Sequence, residues 1–169
     1  LLQIGLSPIH VMWNTQTRLA EKHPLHEIDI QDGKLTEETL RKWLSNGFSN
    51  ANAMALKMYP PFGSIDFDLK NTDNKAVFDN WLAAIKAQNE DILSKVVIER
   101  TRNNGYHVYI KYEKLSHKIP IARNPDGAEI ISVYTGGLLS YCYPTPNYEI
   151  IHNDWQDLQS LTEQEFELL

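Results

Sequence analysis

The sequence of 169 residues is poor in cysteine and in long apolar runs. Its single cysteine, Cys142, cannot form an internal disulfide, which fits a reducing compartment. No apolar stretch approaches the roughly 20 residues that a membrane-spanning helix needs. Leu1–Leu6 also lacks the basic start and the small-residue cleavage site of a secretory signal. We therefore expect a cytoplasmic protein with no membrane partner. Because the chain starts at Leu1 rather than at methionine, we expect a domain excised from a longer chain.

Lysine and arginine are absent from residues 124–169, which carry eight acidic side chains. Residues 95–123 instead hold seven basic and two acidic side chains, within a total formal charge of −6. The acidic total argues against a nucleic-acid binder, which usually carries a basic footprint. Attraction is screened over roughly 8–10 Å, so the basic segment is expected to hold phosphates without sensing the remote acidic tail. This charge pattern permits a phosphate-bearing partner, and it is equally typical of a solvated basic loop.

The remaining composition is that of one globular domain covering residues 1–169, with mixed α/β structure and antiparallel strand pairs. A helix is expected to start after Thr36 and to stop at Asn46-Gly47. Turns at 102–105 and at Gly136-Gly137 predict two β-hairpins. The apolar patterns predict further strands at 9–14, 51–58, 64–69, 95–101, 106–112, 128–134 and 138–143, and further helices at 74–88 and 162–168.

The segment 63–69 carries two acids on a predicted strand. Because side chains alternate along a strand, Asp66 and Asp68 are expected on one face, and Ile65, Phe67 and Leu69 on the other. Two carboxylates one strand repeat apart on an open face suit a hard cation such as Mg²⁺ or Mn²⁺. Two solvated acids on an exposed sheet face would give the same pattern.

A histidine opens the predicted strand 106–112. His107 shares its face with Tyr109 and Lys111, opposite an apolar set that includes Val108 and Ile110. A surface or structural histidine is the simpler explanation of this residue alone. Together with the acid pair and the basic segment, however, it suits phosphoryl transfer, where positioning and charge neutralisation supply most of the catalysis. The sequence contains no phosphate-binding Walker loop, no GxSxG nucleophile motif and no CxxC pair.

The ordered motifs resemble the prim-pol branch of the archaeo-eukaryotic primase superfamily. The first matching motif is Ile65-Asp66-Phe67-Asp68, and the second is Asn103-Asn104-Gly105-Tyr106-His107. Lys22-His23-Pro24 is similar to an early Lys-x-Pro stretch of that family, and Trp43 to a helix tryptophan. The run 132–137, continuing to Pro144-Thr145, is similar to the third-motif strand and its closing Pro-Ser/Thr. The resemblance covers nearly the whole chain in the right order.

This resemblance implies a DNA primase/polymerase domain with an RRM-like antiparallel sheet, helices behind it and an N-terminal α/β portion beside it. The active cleft is expected between these two lobes. Asp66 and Asp68 would bind two Mg²⁺ or Mn²⁺ ions, and His107 would contact the phosphates of the incoming nucleoside triphosphate. Arg102, Asn103 and Lys22 are expected either to contact phosphate or to be solvated.

The same resemblance implies partners and a location. Single-stranded DNA would serve as template with its primer, and a helicase domain is expected in the same full-length chain. The cytoplasm would be that of a bacterium or of a phage-infected host.

The third motif departs from the family, which places a carboxylate in this strand. An ungapped match puts Ser132 there, and Glu129, three residues away, faces the other side unless a bulge rotates it. Three explanations stay open: Glu129 reaches the metal through a bulge, the domain is catalytically weakened, or the residue was changed by engineering. A weakened or inactive nucleotide- or nucleic-acid-binding module is thus the alternative function. A metal-dependent nuclease using the same acids is a third hypothesis.

Overall fold

The structure is a computed structural model that describes residues 1–14, 19–22, 35–45 and 51–169, with 12–14, 19–22, 43 and 44 described by their backbone alone. Within these ranges the chain forms ten strands and three α-helices. The strands are β1 (Ser7–Asn14), β2 (Leu19–Lys22), β3 (Ala53–Met58), β4 (Phe62–Phe67), β5 (Val97–Arg100), β6 (Tyr106–Lys111), β7 (Ile119–Arg123), β8 (Glu129–Tyr134), β9 (Leu138–Cys142) and β10 (Glu149–His152). The helices are α1 (Glu37–Ser45), α2 (Val77–Asn89) and α3 (Glu163–Leu168). Among the helices of these ranges, none has both the length and the apolar character needed to cross a membrane.

Two antiparallel sheets organise the described part of the chain. The larger sheet has six strands in the order β10-β5-β6-β4-β8-β7, and the smaller has four in the order β2-β1-β3-β9. The fold is therefore mixed α+β with antiparallel sheets, which confirms the coarse prediction. Strands β2, β7 and β10 are not predicted by the sequence, because strands of four or five residues carry little periodic signal.

One face of the larger sheet is covered by α2. Ile65 and Phe67 of β4 and Val108 of β6 are almost fully buried in a core that includes Phe78 and Ile85 of α2. This is the apolar face that strand alternation predicts, and the prediction is confirmed. The core positions β4 and β6 so that their alternate residues point to the opposite face, where the predicted polar residues lie.

The opposite face of the larger sheet is covered in part by the smaller sheet. A second core joins Leu56 and Met58 of β3 and Cys142 of β9 to Val97 of β5 and Tyr109 of β6, all of them buried. The sequence predicts an open face here, and that prediction is wrong for its inner part. The reason is that the smaller sheet must bury its own apolar side chains, and it does so against this face.

The chain changes sheets at Gly136-Gly137, where the sequence predicts a hairpin. That prediction is wrong, because β8 pairs with β4 and β7 whereas β9 pairs with β3. Gly136 and Gly137 both have positive φ, 69° and 88°, and the Gly137 N–H donates to the Met58 carbonyl at 2.6 Å. A local turn pattern does not specify which strand the next segment will pair with. The other predicted hairpin, β5 with β6, is confirmed.

Helix α3 begins with a capping box. The Thr162 hydroxyl accepts from the Glu165 N–H at 3.2 Å, and the Glu165 carboxylate accepts from the Thr162 N–H at 2.8 Å. Glu165 also contacts the Lys95 ammonium at 2.6 Å. The cap that the sequence predicts at Thr162 is confirmed, and the contact with Lys95 ties α3 to the 3-10 helix Glu90–Lys95 that precedes β5.

The substitution Glu165→Gln is expected to lower the free energy of unfolding at pH 7 by about 0.5–1 kcal/mol. Lys95, and then the Thr162 backbone N–H, hold the pKa of the Glu165 carboxyl below its usual range. A carboxyl with a lowered folded-state pKa stabilises the fold above its unfolded-state pKa, and this stability is lost as the pH falls through the folded value. Urea denaturation should show this loss of unfolding free energy at pH 7. At a pH well below the usual pKa range of carboxyl groups, the loss should vanish. Glu167→Gln, exposed on the same helix, is the control, and an equal deficit in both variants would contradict the prediction.

Candidate functional site

Four polar side chains lie in one row across the middle of the larger sheet. Glu99 of β5 is paired with His107 of β6, His107 with Asp66 of β4, and Asp66 with Ser132 of β8. Residues directly opposite each other in antiparallel strands have Cβ atoms about 4.5–5.5 Å apart, so the row is continuous. Asp66, His107 and Ser132 are the central residues of the three sequence motifs. The strand pairing therefore brings together residues that are far apart in the chain.

Asp66 is the most desolvated of the candidate metal ligands, with 21% of its side chain exposed. Burial raises the pKa of Asp66, His107 lowers it, Asp68 raises it further, and Lys70 and Lys118 lower it. A negative charge at this position is therefore costly without a nearby cation. A bound cation would relieve that cost.

Asp68 lies one residue beyond the end of β4, although the sequence predicts a strand through residue 69. It precedes a 3-10 helix, Leu69–Asn71, and its carboxylate contacts the Lys70 ammonium at 2.9 Å and accepts from Asn71 Nδ2 at 3.2 Å. Its charge still acts on Asp66. The two acids are thus neighbours at the end of β4, but they do not project side by side from one continuous strand.

His107 is 8% exposed and lies between two carboxylates. Its Nε2 is 3.5 Å from Asp66 Oδ1, and its Nδ1 is 3.2 Å from Glu99 Oε2. Glu99 is fully buried and also accepts from Tyr109 Oη at 2.7 Å and from the Tyr143 backbone N–H at 2.5 Å. Glu99 is not predicted from the sequence. The available signal is a single acid that directly follows the apolar run 96–98 in the same predicted strand.

Ser132 occupies the position beside Asp66 where the family resemblance expects a carboxylate. It is 2% exposed, and it faces the polar row, as strand parity predicts. A hydroxyl is a weak ligand for a hard cation compared with a carboxylate. The position of Glu129, the nearest acid in the sequence, therefore decides whether a third carboxylate lies near Asp66 and Asp68.

Strand β8 has an irregularity beside Glu129. Ile131 pairs with Ala122 and Glu129 with Arg123, so Ile130 has no opposite residue in β7. Such an extra residue reverses the alternation of side chains beyond it. Glu129 accordingly lies close enough to Ser132 for the hydroxyl to contribute to its pKa shift.

The Glu129 carboxylate is already paired with two cations. It contacts the Lys118 ammonium at 2.5 Å and the Arg123 guanidinium at 2.9 Å. Its hydrogen bond with Lys118 is the main cause that holds the pKa of Glu129 below its usual range, with Ser132 and Arg123 contributing. Because Lys118 also acts on Asp66, the Lys118–Glu129 pair borders the polar row.

The turn between β5 and β6 packs against the end of β4. A Cβ atom at Gly105 would lie 2.4 Å from the Phe67 carbonyl oxygen, so glycine alone permits this close approach. Arg102 is half-buried in this turn, and Asn103 is exposed. The turn therefore stands beside the two acids.

Tyr148 is another residue near the site that the sequence does not predict. Its ring centroid is 6.0 Å from that of His107. Burial raises the pKa of Tyr148, and the charge of Arg102 opposes this shift. Arg102 therefore lies near Tyr148, which in turn lies beside His107.

Some candidates cannot be placed by their side chains. Lys22 ends β2, but its side chain lies outside the described residues, as do His23 and Pro24. The Trp43 side chain and Asn46-Gly47 also lie outside them.

The basic segment 95–123 is largely paired with the acidic tail. Five of its seven basic side chains contact carboxylates from residues 124–169 at 2.5–2.9 Å: Lys95–Glu165, Arg100–Glu149, Lys114–Glu163, Lys118–Glu129 and Arg123–Glu129. The expectation that this segment does not sense the tail is wrong, because the fold brings the two together. The pairs of Arg100 and Lys114 are exposed on both sides and contribute little to stability in water, so a phosphate can compete for these two cations.

Asp66 and Asp68 are the side chains that would hold a hard divalent cation at this site. In the ranges that the structure describes, no three or more His, Cys, Asp or Glu side chains are grouped closely enough to hold a metal ion. Mg²⁺, however, is commonly held by one or two carboxylates, with water and substrate phosphates supplying the other oxygens. Asp66 and Asp68 provide such a pair.

A scan against protein-family models finds no match to the chain, and a search of curated proteins finds none either.

Proposed function

We propose that this chain is a template-dependent nucleotidyltransferase, a DNA primase/polymerase domain of the prim-pol type. The observation that carries this proposal is the polar row, in which Asp66, His107 and Ser132 of three separate motifs are paired on adjacent strands. The order of these strands, β6-β4-β8, puts the acid in the centre, with the histidine on one side and the third-motif position on the other.

The finer architecture belongs to the same proposal. The larger antiparallel sheet with α2 behind it would be the RRM-like portion. The smaller sheet, packed on its other face, would be the N-terminal lobe. The polar row lies on the face where the two sheets meet, which is where a cleft enzyme holds its substrate.

Each residue of the site has a distinct task in this mechanism. Asp66 and Asp68 would hold Mg²⁺ or Mn²⁺, which supplies charge neutralisation for the triphosphate and favours the primer hydroxyl as a nucleophile. His107 would bind the phosphates through Nε2, the nitrogen that faces Asp66. Arg102, near Tyr148, would bind phosphate from the turn beside the acids. Lys70 and Lys118 balance the carboxylates in the free protein.

The proposed polymerase activity is tested by incubating the wild-type chain with a primed single-stranded DNA template, labelled nucleotides and Mn²⁺ or Mg²⁺. We expect extension of the primer in the presence of metal and none with a chelator. Products shorter than the primer would identify a nuclease instead. Absence of both extension and unprimed synthesis with either metal, and with ribo- and deoxyribonucleotides, would contradict the proposal.

A second candidate function is a catalytically weakened module that binds nucleotides or nucleic acid on the same fold. It is favoured by Ser132 at the third-motif position and by the neutralisation of Glu129 by Lys118 and Arg123. Ser132→Glu separates the two candidates, with Ser132→Ala as its control. A large gain in synthesis only in the glutamate variant would identify a weakened enzyme. A robust wild type that Ser132→Glu does not improve would exclude this candidate.

A further inference from the structure

Two cations converge on the carboxylate of Glu129. The Lys118 ammonium lies 2.5 Å from its Oε2, and the Arg123 guanidinium donates to its Oε1 at 2.9 Å. The Ser132 hydroxyl is close enough to act as a third donor, because it contributes to holding the pKa of Glu129 below its usual range. Cationic and hydroxyl donors grouped around one acceptor are what an oxyanion such as phosphate requires. The Glu129 carboxylate therefore occupies a position with the chemistry of an anion-binding site.

Each of the two cations is also held by a contact that does not involve Glu129. Lys118 Nζ lies 4.7 Å from the centre of the Tyr134 ring, within the range of a cation–π interaction. Arg123 donates through Nη1 to the Gly127 carbonyl at 2.8 Å, while Nη2 contacts Glu129. Ammonium and guanidinium groups carry further hydrogens for other acceptors. Both cations can therefore keep their positions when the carboxylate turns away.

A solute can reach these donors from the surface. Arg123 is exposed, and Lys118 and Glu129 are partly exposed. Arg123 also lines an open polar cleft of about 640 Å³, to which Asp73 and Asp126 contribute as well. These two acids oppose an anion elsewhere in the cleft, so the attraction for an anion is local to the donors around Glu129.

We infer that the donors around Glu129 form a phosphate-binding site, and that Glu129 occupies this site only in the free protein. The donors are Lys118, Arg123 and Ser132. The ligand is a polyphosphate, whose several charged oxygens can displace a single carboxylate. A hydroxyl at position 132 then has a use, because it donates to an anion that a carboxylate would repel.

The identity of the polyphosphate rests on the proposed function. The charge of Lys118 acts on Asp66, so the phosphate-binding site adjoins the polar row. The triphosphate of the incoming nucleotide would thus lie between these donors and His107. In this arrangement Glu129 is displaced by the substrate and is not a ligand of the metal.

The first test uses the wild-type protein and inorganic triphosphate, with a chelator present so that no divalent metal contributes. In two-dimensional ¹H–¹⁵N spectra, the backbone signals of Glu129 and Ser132 and the side-chain Nε–H signal of Arg123 should shift in a saturable way. Inorganic triphosphate has no base or sugar, so these shifts report on phosphate alone. Saturable shifts that spare these residues, or no saturable shift at millimolar concentrations, would overturn the inference. Neither result depends on the folding of a variant.

The second test removes the internal competitor. In Glu129→Gln, the affinity for inorganic triphosphate, measured by calorimetry with a chelator, should rise about tenfold, because apparent affinity falls with the fraction of molecules whose site is already occupied. Lys118→Met should bind more weakly than the wild type, since one of the two cations is lost. A decrease in Glu129→Gln, or an unchanged affinity in a folded Lys118→Met protein, would overturn the inference.

Glu163→Gln is the matched control for the change in net charge. Glu163 is also paired with a lysine, Lys114, and it lies on α3, which packs on the α2 side of the larger sheet through Phe166. This variant should leave the affinity for triphosphate nearly unchanged. Equal gains in Glu129→Gln and Glu163→Gln would mean that only the total charge matters, and that result would overturn the inference.

A DNA backbone is the other source of phosphate. A nucleoside triphosphate should show the same gain in Glu129→Gln as inorganic triphosphate, whereas a single-stranded oligonucleotide should bind the wild type and the variant alike. A gain confined to the oligonucleotide would overturn the assignment to a polyphosphate.

Kinetics separate the phosphate-binding site from the proposed function. If the wild type synthesises DNA, Lys118→Met should raise KM for the nucleoside triphosphate about tenfold, the usual effect of losing a hydrogen bond to a charged group, and leave KM for the primed template unchanged. Glu129→Gln should keep its activity, and a large loss of synthesis there would identify a metal ligand and overturn the inference. If the wild type makes no product while triphosphate binding follows the expected order, the proposed function fails and the phosphate-binding site stands.

Discussion

The substitution Asp66→Asn is expected to reduce template-directed nucleotide incorporation about a thousand-fold. A divalent cation held by carboxylates stabilises the charge that develops during phosphoryl transfer by several kcal/mol, and each 1.4 kcal/mol, roughly, changes the rate tenfold. Asparagine has nearly the same shape as aspartate but lacks its charge and one of its two carboxylate oxygens. Asp66 is the acid at the centre of the polar row, and the residues opposite it on the neighbouring strands are His107 and Ser132, neither of which is a carboxylate. The measurement is the initial rate of labelled nucleotide incorporation at saturating metal.

The thermal stability of Asp66→Asn distinguishes a loss of catalysis from a loss of folded protein. Because burial raises the pKa of Asp66, the folded protein binds its proton more tightly than the unfolded chain does. Stability from this group is therefore lost as the pH rises from the unfolded-state to the folded-state pKa. At pH 7 the neutral asparagine should leave Tm unchanged or raised. Asp79→Asn, an exposed change on α2, is the control for both readouts. Full activity in Asp66→Asn would contradict the proposed function.

The substitution Phe67→Ala is expected to have the largest effect on stability, about 3–5 kcal/mol of unfolding free energy. Phe67 has no exposed surface. Its ring centroid is 5.2 Å from that of Phe78 and 5.1 Å from that of Trp81, so truncation leaves a cavity between the sheet and α2. Aromatic pairs at such distances add about 0.5–1.5 kcal/mol each beyond their buried area. Chemical denaturation monitored by circular dichroism measures the loss.

The controls for Phe67→Ala distinguish the cost of a buried cavity from a loss of stability that any apolar truncation in the sheet would cause. Ile121→Ala removes an apolar side chain that is 49% exposed on β7, and it should change the unfolding free energy by no more than about 0.5 kcal/mol. Phe67→Leu should fall between the two. Because Phe67 lies between Asp66 and Asp68, the alanine variant should also lose activity at temperatures where it is still folded. Equal effects of Phe67→Ala and Ile121→Ala would contradict the core assignment.

The apolar face of the larger sheet was predictable because strand alternation is a local property. Ile65, Phe67 and Val108 follow the two-residue period and are buried as expected. The extent of β4 was less predictable, since apolar residues continue to Leu69 although the strand ends at Phe67. The hairpin predicted at Gly136-Gly137 failed for a related reason. Glycines report that the chain turns there, whereas strand pairing depends on distant residues.

The candidate site was predictable in its central members and not in its surroundings. Asp66 and His107 were found because residue type, spacing and strand parity agreed. Glu99 was not found, because only the pairing of β5 with β6 puts its carboxylate against His107. The position of Glu129 was left open between two faces, and an irregularity in β8 decided it.

The sequence by itself determined the classes of side chain on each strand, the absence of an internal disulfide and the order of the three motifs. It also showed a basic segment followed by an acidic tail without lysine or arginine. The tertiary structure alone decided that these two segments pair, that the smaller sheet covers the supposedly open face, and that a buried carboxylate stands behind His107. The physical reason is one of range. Alternation and turn chemistry act between residues close in the chain, whereas burial and ion pairing act between residues that folding brings within a few ångströms.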